Sequence, residues 1–221
     1  MKPEEIDQAL QLLAPIVSHE LRNPMAVIKN SSYFIKTKLG NLGVEDEKVI
    51  RHLGIIEVEL VHANNCLEEI LLYARMPEAK IAPHGLNTLV EAARLSIELP
   101  DGVLIETSLS KEDPKIEADP ELAAKAIMHV IRNAVQAASA DEDADISVTT
   151  TADGTVRVVD TSEGGLPEKA LPRLFEPFNT TKPKGIGLGL AYAKKALDRL
   201  GATITHIPGD ETVFEIKFKS A

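Results

Sequence analysis

The sequence predicts a helical hairpin followed by an α+β two-layer sandwich, and three observations carry that prediction. Apolar residues recur at three- and four-residue steps through the first third of the chain. Residues 76–85 then break the pattern with two prolines and a glycine, Pro77, Pro83 and Gly85. From Leu86 onward, helical segments alternate with short β-like runs.

The first helix is expected over Pro3 to Leu39. Ile6, Leu10, Leu13, Val17, Leu21, Met25 or Pro24, Ile28 and Ile35 mark one apolar stripe along it. Gly40-Asn41-Leu42-Gly43 interrupts the pattern, and Ile50, Leu53, Ile56, Leu60, Leu67 and Leu71 carry a second helix to about Arg75. Two helices of roughly 30 residues have too few apolar neighbours within one chain to cover their stripes. Pairing with a second copy as a four-helix bundle covers them, so a homodimer is expected. The hairpin is assigned to residues 1–76, a linker to 77–85 and the second domain to 86–221.

That second domain is expected to hold helices over Leu89–Leu99 and Glu121–Ala138, with strands at Val103–Leu109, Ile146–Thr151, Thr155–Asp160, Ala202–Ile207 and Thr212–Lys219. Ala152-Asp153-Gly154 reads as a hairpin turn, and Pro208-Gly209-Asp210-Glu211 joins the last two strands, so part of the sheet is antiparallel.

Composition narrows the function classes. The chain has 221 residues, of which 44% are hydrophobic, enough for a core in each of two modest domains. Asp and Glu outnumber Lys and Arg 34 to 24, a formal charge of −10 that repels nucleic acid and anionic membrane surfaces. The single cysteine, Cys66, cannot close an intramolecular disulfide and reads as a small buried filler in a reducing cytosol. No apolar run approaches the roughly 20 residues that span a bilayer, and no secretion signal opens the chain.

Candidate chemistry begins at Ser18-His19-Glu20-Leu21-Arg22-Asn23-Pro24. His19 follows Val17 by two residues, roughly 200° around the helix from the apolar stripe, so its ring is expected to face solvent. Glu20 offers an adjacent proton acceptor, and Asn23 lies one turn away on the same face. The cluster suits covalent chemistry at the ring, and taken alone it equally suits a solvated surface histidine.

Four later motifs fall in order. Within His129–Ala138, Asn133 sits in an apolar helix with a neutral oxygen for a hard cation such as Mg²⁺, or for a local bond to the backbone. Val156–Pro167 runs a strand into Asp160, Ser162, Gly164 and Gly165. Asp160 can accept the exocyclic amine of adenine, and the glycines let backbone approach the base; an ordinary Asp-to-Gly turn has the same composition. Leu174–Lys182 joins the aromatic pair Phe175 and Phe178 to Thr180, Thr181 and Lys182. Lys184-Gly185-Ile186-Gly187-Leu188-Gly189-Leu190 opens a helix with three alternating glycines, whose free N–H groups make a phosphate cradle beside Lys182 and Lys184. The spacing is neither the dinucleotide fingerprint nor the Gly-x-x-x-x-Gly-Lys phosphate loop.

Together these residues resemble the catalytic core of a two-component sensor histidine kinase over nearly the whole chain. His19-Glu20-Leu21-Arg22-Asn23-Pro24 is similar to the family's phosphoacceptor box in its dimerisation and histidine-phosphotransfer hairpin, and the later motifs are similar to its N, G1, F and G2 boxes. The resemblance implies an ATP-binding domain of the gyrase, heat-shock protein and histidine kinase type. It implies that His19 takes the γ-phosphoryl group of ATP, with Glu20 as general base and Asn23 positioning water for a phosphatase reaction. It places Mg²⁺ on Asn133 and adenine on Asp160. ATP contacts are implied for Asn133, Gln136, Asp160, Gly164, Gly165, Thr180, Thr181, Lys182, Lys184, Gly185, Gly187, Leu188, Gly189 and Leu190, with a short lid like that of nitrogen-regulator kinases. The implied partners are a second copy of the chain, the receiver domain of a response regulator and a separate sensor or upstream region, in the cytoplasm. Two positions depart from the pattern: Ser162 replaces the first glycine of Asp-x-Gly-x-Gly, and His129 stands four residues before Asn133 where a carboxylate or amide is usual. These departures support an alternative reading, a phosphotransfer adaptor or pseudokinase with a degenerate nucleotide site.

Overall fold

The computed structural model describes residues 3–221 apart from Glu45, Ala140, Glu142, Asp143, Gly164, Pro183 and Lys184, with Pro3 and Glu4 described by backbone alone. The chain divides into two compact units, Met1–Met76 and Pro77–Ala221.

The first unit is the hairpin of α1 (Pro3–Asn41) and α2 (Glu47–Ala74). Gly43, at φ 66°, supplies the left-handed turn after α1. Asp46 caps α2 by accepting from the backbone N–H groups of Lys48 and Val49. Near the turn the helices are tied by Lys36 to Glu57, and at the far end by the Tyr73 hydroxyl donating to Asp7 Oδ1 at 2.7 Å. Burial and the Asp7 carboxylate push the Tyr73 pKa up.

Within one chain α1 leaves much of the expected stripe exposed, as helices with too few apolar neighbours must. Its buried positions are the small residues Ala14, Ser18 and Ser32, whereas Leu13, Val17, Leu21, Ile28 and Ile35 stay between 44% and 56% exposed. Small side chains let the two long helices approach closely and leave the bulky residues on the flank. Cys66 is part-exposed rather than fully buried, with Sγ 3.8 Å from His62 Nε2.

The second unit begins with β1 (Ala82–Gly85), α3 (Leu86–Leu95), β2 (Ile105–Ser108) and β3 (Lys115–Ala118). It continues with α4 (Pro120–Ala138), β4 (Ile146–Thr151), β5 (Thr155–Asp160), α5 (Gly189–Arg199), β6 (Thr203–Ile207) and β7 (Thr212–Lys217). Five strands form one mixed sheet in the order β2-β4-β5-β7-β6, in which only β2 and β4 run parallel. Both expected hairpins form, the first with Gly154 at φ 84°.

Two short strands were not expected. β1 and β3 pair as a separate antiparallel ribbon, so part of the segment read as linker is strand, and the Lys80 N–H is held by Asp119 Oδ2 at 2.9 Å. Asp119 also accepts from the N–H groups of Glu121 and Leu122, capping α4, with Pro120 in the first turn. Burial raises its pKa, but these backbone bonds outweigh that effect and lower it.

The core lies between the sheet and the helices. Val148, Val156, Val158, Phe214 and Ile216 of the sheet, Ala126, Ile127, Val130 and Ile131 of α4, and Ala193, Ala196 and Leu197 of α5 are all buried, with α4 against β4 and β5 and α5 against α4 and β6. This packing fixes α4 against β5, and so sets Asn133 near the end of the strand that carries Asp160.

Candidate active site

A cavity of about 350 Å³ opens where the C-terminal half of α4 faces the end of β5. Asn133 and Ala137 line it from the helix, and Asp160, Ser162, Glu163, Gly165, Leu166 and Pro167 from the strand end and following turn. Asp141, Thr181, Lys182 and Thr212 complete it.

Asp160 is 1% exposed, and its Oδ1 has no hydrogen-bond partner among the described residues. Burial raises its pKa, opposed by the hydroxyl and N–H of Ser162 and by the Lys182 charge. An unsatisfied buried carboxylate oxygen at the wall of a cavity is an acceptor waiting for a donor. At the other end, the Lys182 ammonium donates to Asn133 Oδ1 and Gln136 Oε1, each at 2.9 Å. Desolvation lowers the Lys182 pKa, Asp160 raises it and Arg132 lowers it. The two carboxamides thus present their oxygens to a cation.

Beyond Lys182 the chain closes on itself. The Phe178 N–H donates to the Gly187 carbonyl at 3.0 Å, and Phe178 holds a left-handed φ of 63°. Gly187 has φ 72°, and a Cβ there would lie 2.8 Å from the backbone of Asn179. Asn179 is in turn anchored by donating from Nδ2 to the Arg173 carbonyl at 2.7 Å. The loop delivers the chain to α5, whose first turn lacks a side-chain cap, leaving that helix end a place for an anion.

Of the expected nucleotide residues, Asn133, Asp160, Gly165, Thr181 and Lys182 come together around the cavity, and Gln136 joins them through Lys182. Thr180, Gly185, Gly187, Leu188, Gly189 and Leu190 form the adjoining loop and helix start instead. Gly164 and Lys184 lie outside the described residues. Sequence reasoning missed Asp141, Glu163 and Thr212. Only strand register exposes Thr212, which pairs directly opposite Asp160.

His129 does not line the cavity. It is buried against Tyr192, ring centroids 4.8 Å apart, with Nδ1 accepting from Arg132 Nη2 at 3.1 Å. Burial first, then the Arg132 and Lys125 charges, pushes its pKa down to about 3, so the ring is neutral at physiological pH.

In the hairpin, the His19 side chain is 75% exposed, with Nδ1 3.4 Å from Glu20 Oε1. Asn23 is also exposed. Pro24 inside α1 lacks the N–H that would bond the Glu20 carbonyl. A carboxylate on the Nδ1 side favours the tautomer that leaves the Nε2 lone pair outward.

Residues 118–221 match the family described as histidine kinase-, DNA gyrase B- and HSP90-like ATPases. The chain is 31% identical to sporulation kinase A of Bacillus subtilis (strain 168) over 227 residues, covering 99% of this chain and 36% of that protein. It is 29% identical to the sensor histidine kinase ZraS of Escherichia coli (strain K12), covering 92% of this chain and 44% of that protein. The chain is a catalytic core of the sensor histidine kinase type. It spans less than half the length of these two relatives. The crystal structure of histidine kinase ThkA in complex with the response regulator protein TrrA shares its fold over 100% of this chain and 64% of that one, at TM-score 0.65 and 24% identity. The histidine kinase core therefore comprises an N-terminal helical part and an α/β sandwich of the ATP-binding type.

ATP and a divalent cation fit the residues present. Asp160 Oδ1 offers an unpaired acceptor to a base, and Asn133 and Gln136 already hold an ammonium charge at their oxygens. No cluster of three or more His, Cys, Asp or Glu side chains suited to a metal exists among the described residues. Asn133 Oδ1 is the side-chain oxygen that would hold a hard cation there, with substrate phosphates supplying the remaining oxygens.

Proposed function

We propose that this core phosphorylates its own His19 from ATP and passes the phosphoryl group to an aspartate of a response regulator receiver domain. The observation that carries the reading is the charge layout of the cavity: a buried unpaired acceptor, Asp160, at one wall and a cation held on carboxamide oxygens, Lys182 on Asn133 and Gln136, at another. Such a layout suits a ligand with an amino-bearing base and a polyphosphate.

In the proposed step the Nε2 lone pair of His19 attacks the γ-phosphorus, the bond from that phosphorus to the bridging oxygen breaks, and ADP leaves with the electron pair. Glu20 accepts the Nδ1 proton as the ring becomes cationic. The new N–P bond later breaks as an aspartate carboxylate takes the phosphoryl group. Alignment and charge neutralisation set the rate of such transfers. Mg²⁺, held by Asn133, would neutralise phosphate charge. Asn23, one turn after His19, would position the water of a reverse phosphatase reaction.

The chain is proposed to act as a homodimer, because Leu13, Val17, Leu21 and Ile28 leave an apolar flank on α1 that a second hairpin covers. It is proposed to work in the cytoplasm under a separate sensor or upstream region. Among the described residues no helix is long and apolar enough to cross a membrane.

Incubation with γ-labelled ATP and Mg²⁺ tests the reading. The chain is expected to acquire acid-labile, base-stable label that a receiver domain removes, and His19→Gln to bind ATP without acquiring label. Label that persists in His19→Gln overturns the nucleophile assignment; absence of both label and ATP binding in folded protein leaves the phosphotransfer adaptor with its degenerate nucleotide site as the better account.

A further inference from the structure

Ser162 puts an oxygen where the family pattern has a glycine without a side chain. The residue is 7% exposed, and its hydroxyl lies close enough to Asp160 to lower that carboxyl's pKa yet makes no hydrogen bond of normal geometry; Asp160 Oδ1 likewise has no partner among the described residues. Both residues line the same cavity. Leaving two buried polar atoms unpaired is unfavourable, so the pair favours a ligand that satisfies both at once.

The two atoms have complementary capacities. A carboxylate oxygen only accepts, whereas a serine hydroxyl can donate. Ser162 follows Asp160 by two residues at the end of β5, close enough for its hydroxyl to influence the carboxyl. The matching ligand edge carries an amino group beside an unprotonated ring nitrogen. Adenine has this edge in N6 and N1; guanine has the reverse, an O6 acceptor beside an N1–H donor.

We infer that Ser162 is a second base-reading residue: its Oγ–H donates directly to adenine N1 while Asp160 Oδ1 accepts from the N6 amino group. This inference rests on the nucleotide reading of the cavity. It gives Ser162 a recognition role in place of the degeneracy that its departure from glycine suggests. Guanine at the same place sets its O6 against the carboxylate and leaves Asp160 Oδ1 unsatisfied, while the hydroxyl can only accept from N1–H.

The test compares ADP with 1-deaza-ADP, in which N1 is replaced by C–H, by calorimetry on the full chain and on Ser162→Ala. The unmodified chain is expected to bind ADP at least about tenfold more tightly than 1-deaza-ADP, because the analogue leaves the hydroxyl unpaired. Ser162→Ala is expected to weaken ADP about three- to tenfold while changing 1-deaza-ADP by less than about twofold. Equal affinity of the unmodified chain for the two nucleotides overturns the contact without requiring any variant to fold. An equal loss for both nucleotides in Ser162→Ala also overturns it, and makes Ser162 a positioning residue for Asp160. Failure of the unmodified chain to bind ADP at all removes the nucleotide reading and the inference with it.

Discussion

His129 is held neutral by burial, by Arg132 and by Lys125, and its folded pKa of about 3 lies below the ordinary value of 6.5. Between those values the unfolded chain binds the proton and the folded one does not, so stability rises with pH across this window and is lost as pH falls through it. The slope approaches but does not exceed about 1.4 kcal/mol per pH unit. Urea unfolding at pH 7 and pH 5 is expected to show this loss, and His129→Asn, which keeps an acceptor but does not titrate, to show a shallower dependence. An unchanged slope in that variant removes His129 as its source. The same residue illustrates the reach of sequence. Its place four residues before Asn133 suggested a disturbed cation site, yet the side chain packs on Tyr192 and a Cβ at Gly189 would stand 3.4 Å from its Nδ1. Helical spacing identifies the face of α4; which neighbour fills that face depends on α5, far along the chain.

At the scale of elements, the segment from Phe178 to Gly189 depends on backbone geometry. Gly187→Ala places a methyl within 2.8 Å of Asn179 backbone atoms at φ 72°, so the loop must open. Nucleotide affinity is expected to fall at least about tenfold, with a domain melting temperature within a few degrees of the unmodified chain, because the strain falls on a half-buried loop outside the sheet and helix core. Calorimetry and thermal melts check both; unchanged affinity contradicts the role given to the loop. The alternating glycines made this segment legible from sequence, as hydrophobic period made α1, α2 and α4 legible. β1 and β3 were not, because Ala82–Gly85 carries a proline and a glycine and Lys115–Ala118 alternates over only four residues. Each becomes a strand by pairing with the other, and pairing between segments some 30 residues apart leaves no local mark.

Across the whole molecule, the apolar flank of α1 decides assembly. Ile28→Glu adds a charge that one chain tolerates at a half-exposed position and a dimer must bury unpaired. Sedimentation is expected to show the unmodified chain as a dimer and the variant shifted toward monomer by at least about tenfold in dissociation constant. A variant that stays fully dimeric removes this flank from the interface. The proposal of a second copy comes from two long helices with too much apolar surface, whereas the small residues buried between α1 and α2 were not legible, because small and bulky residues both satisfy a helical period. The order of the five motifs was also readable, but their convergence was set by the sheet: register places Thr212 against Asp160, and helix packing brings Asn133 within reach of Lys182. The central claim is that this convergence serves phosphorylation of one nitrogen. Phosphorus NMR of the chain after incubation with ATP and Mg²⁺, with the modified peptide then mapped by mass spectrometry, tests it most directly. The account predicts a phosphoramidate on Nε2 of His19; a phosphate ester on the neighbouring Ser18, or no N–P signal from a chain that binds ATP, would contradict it.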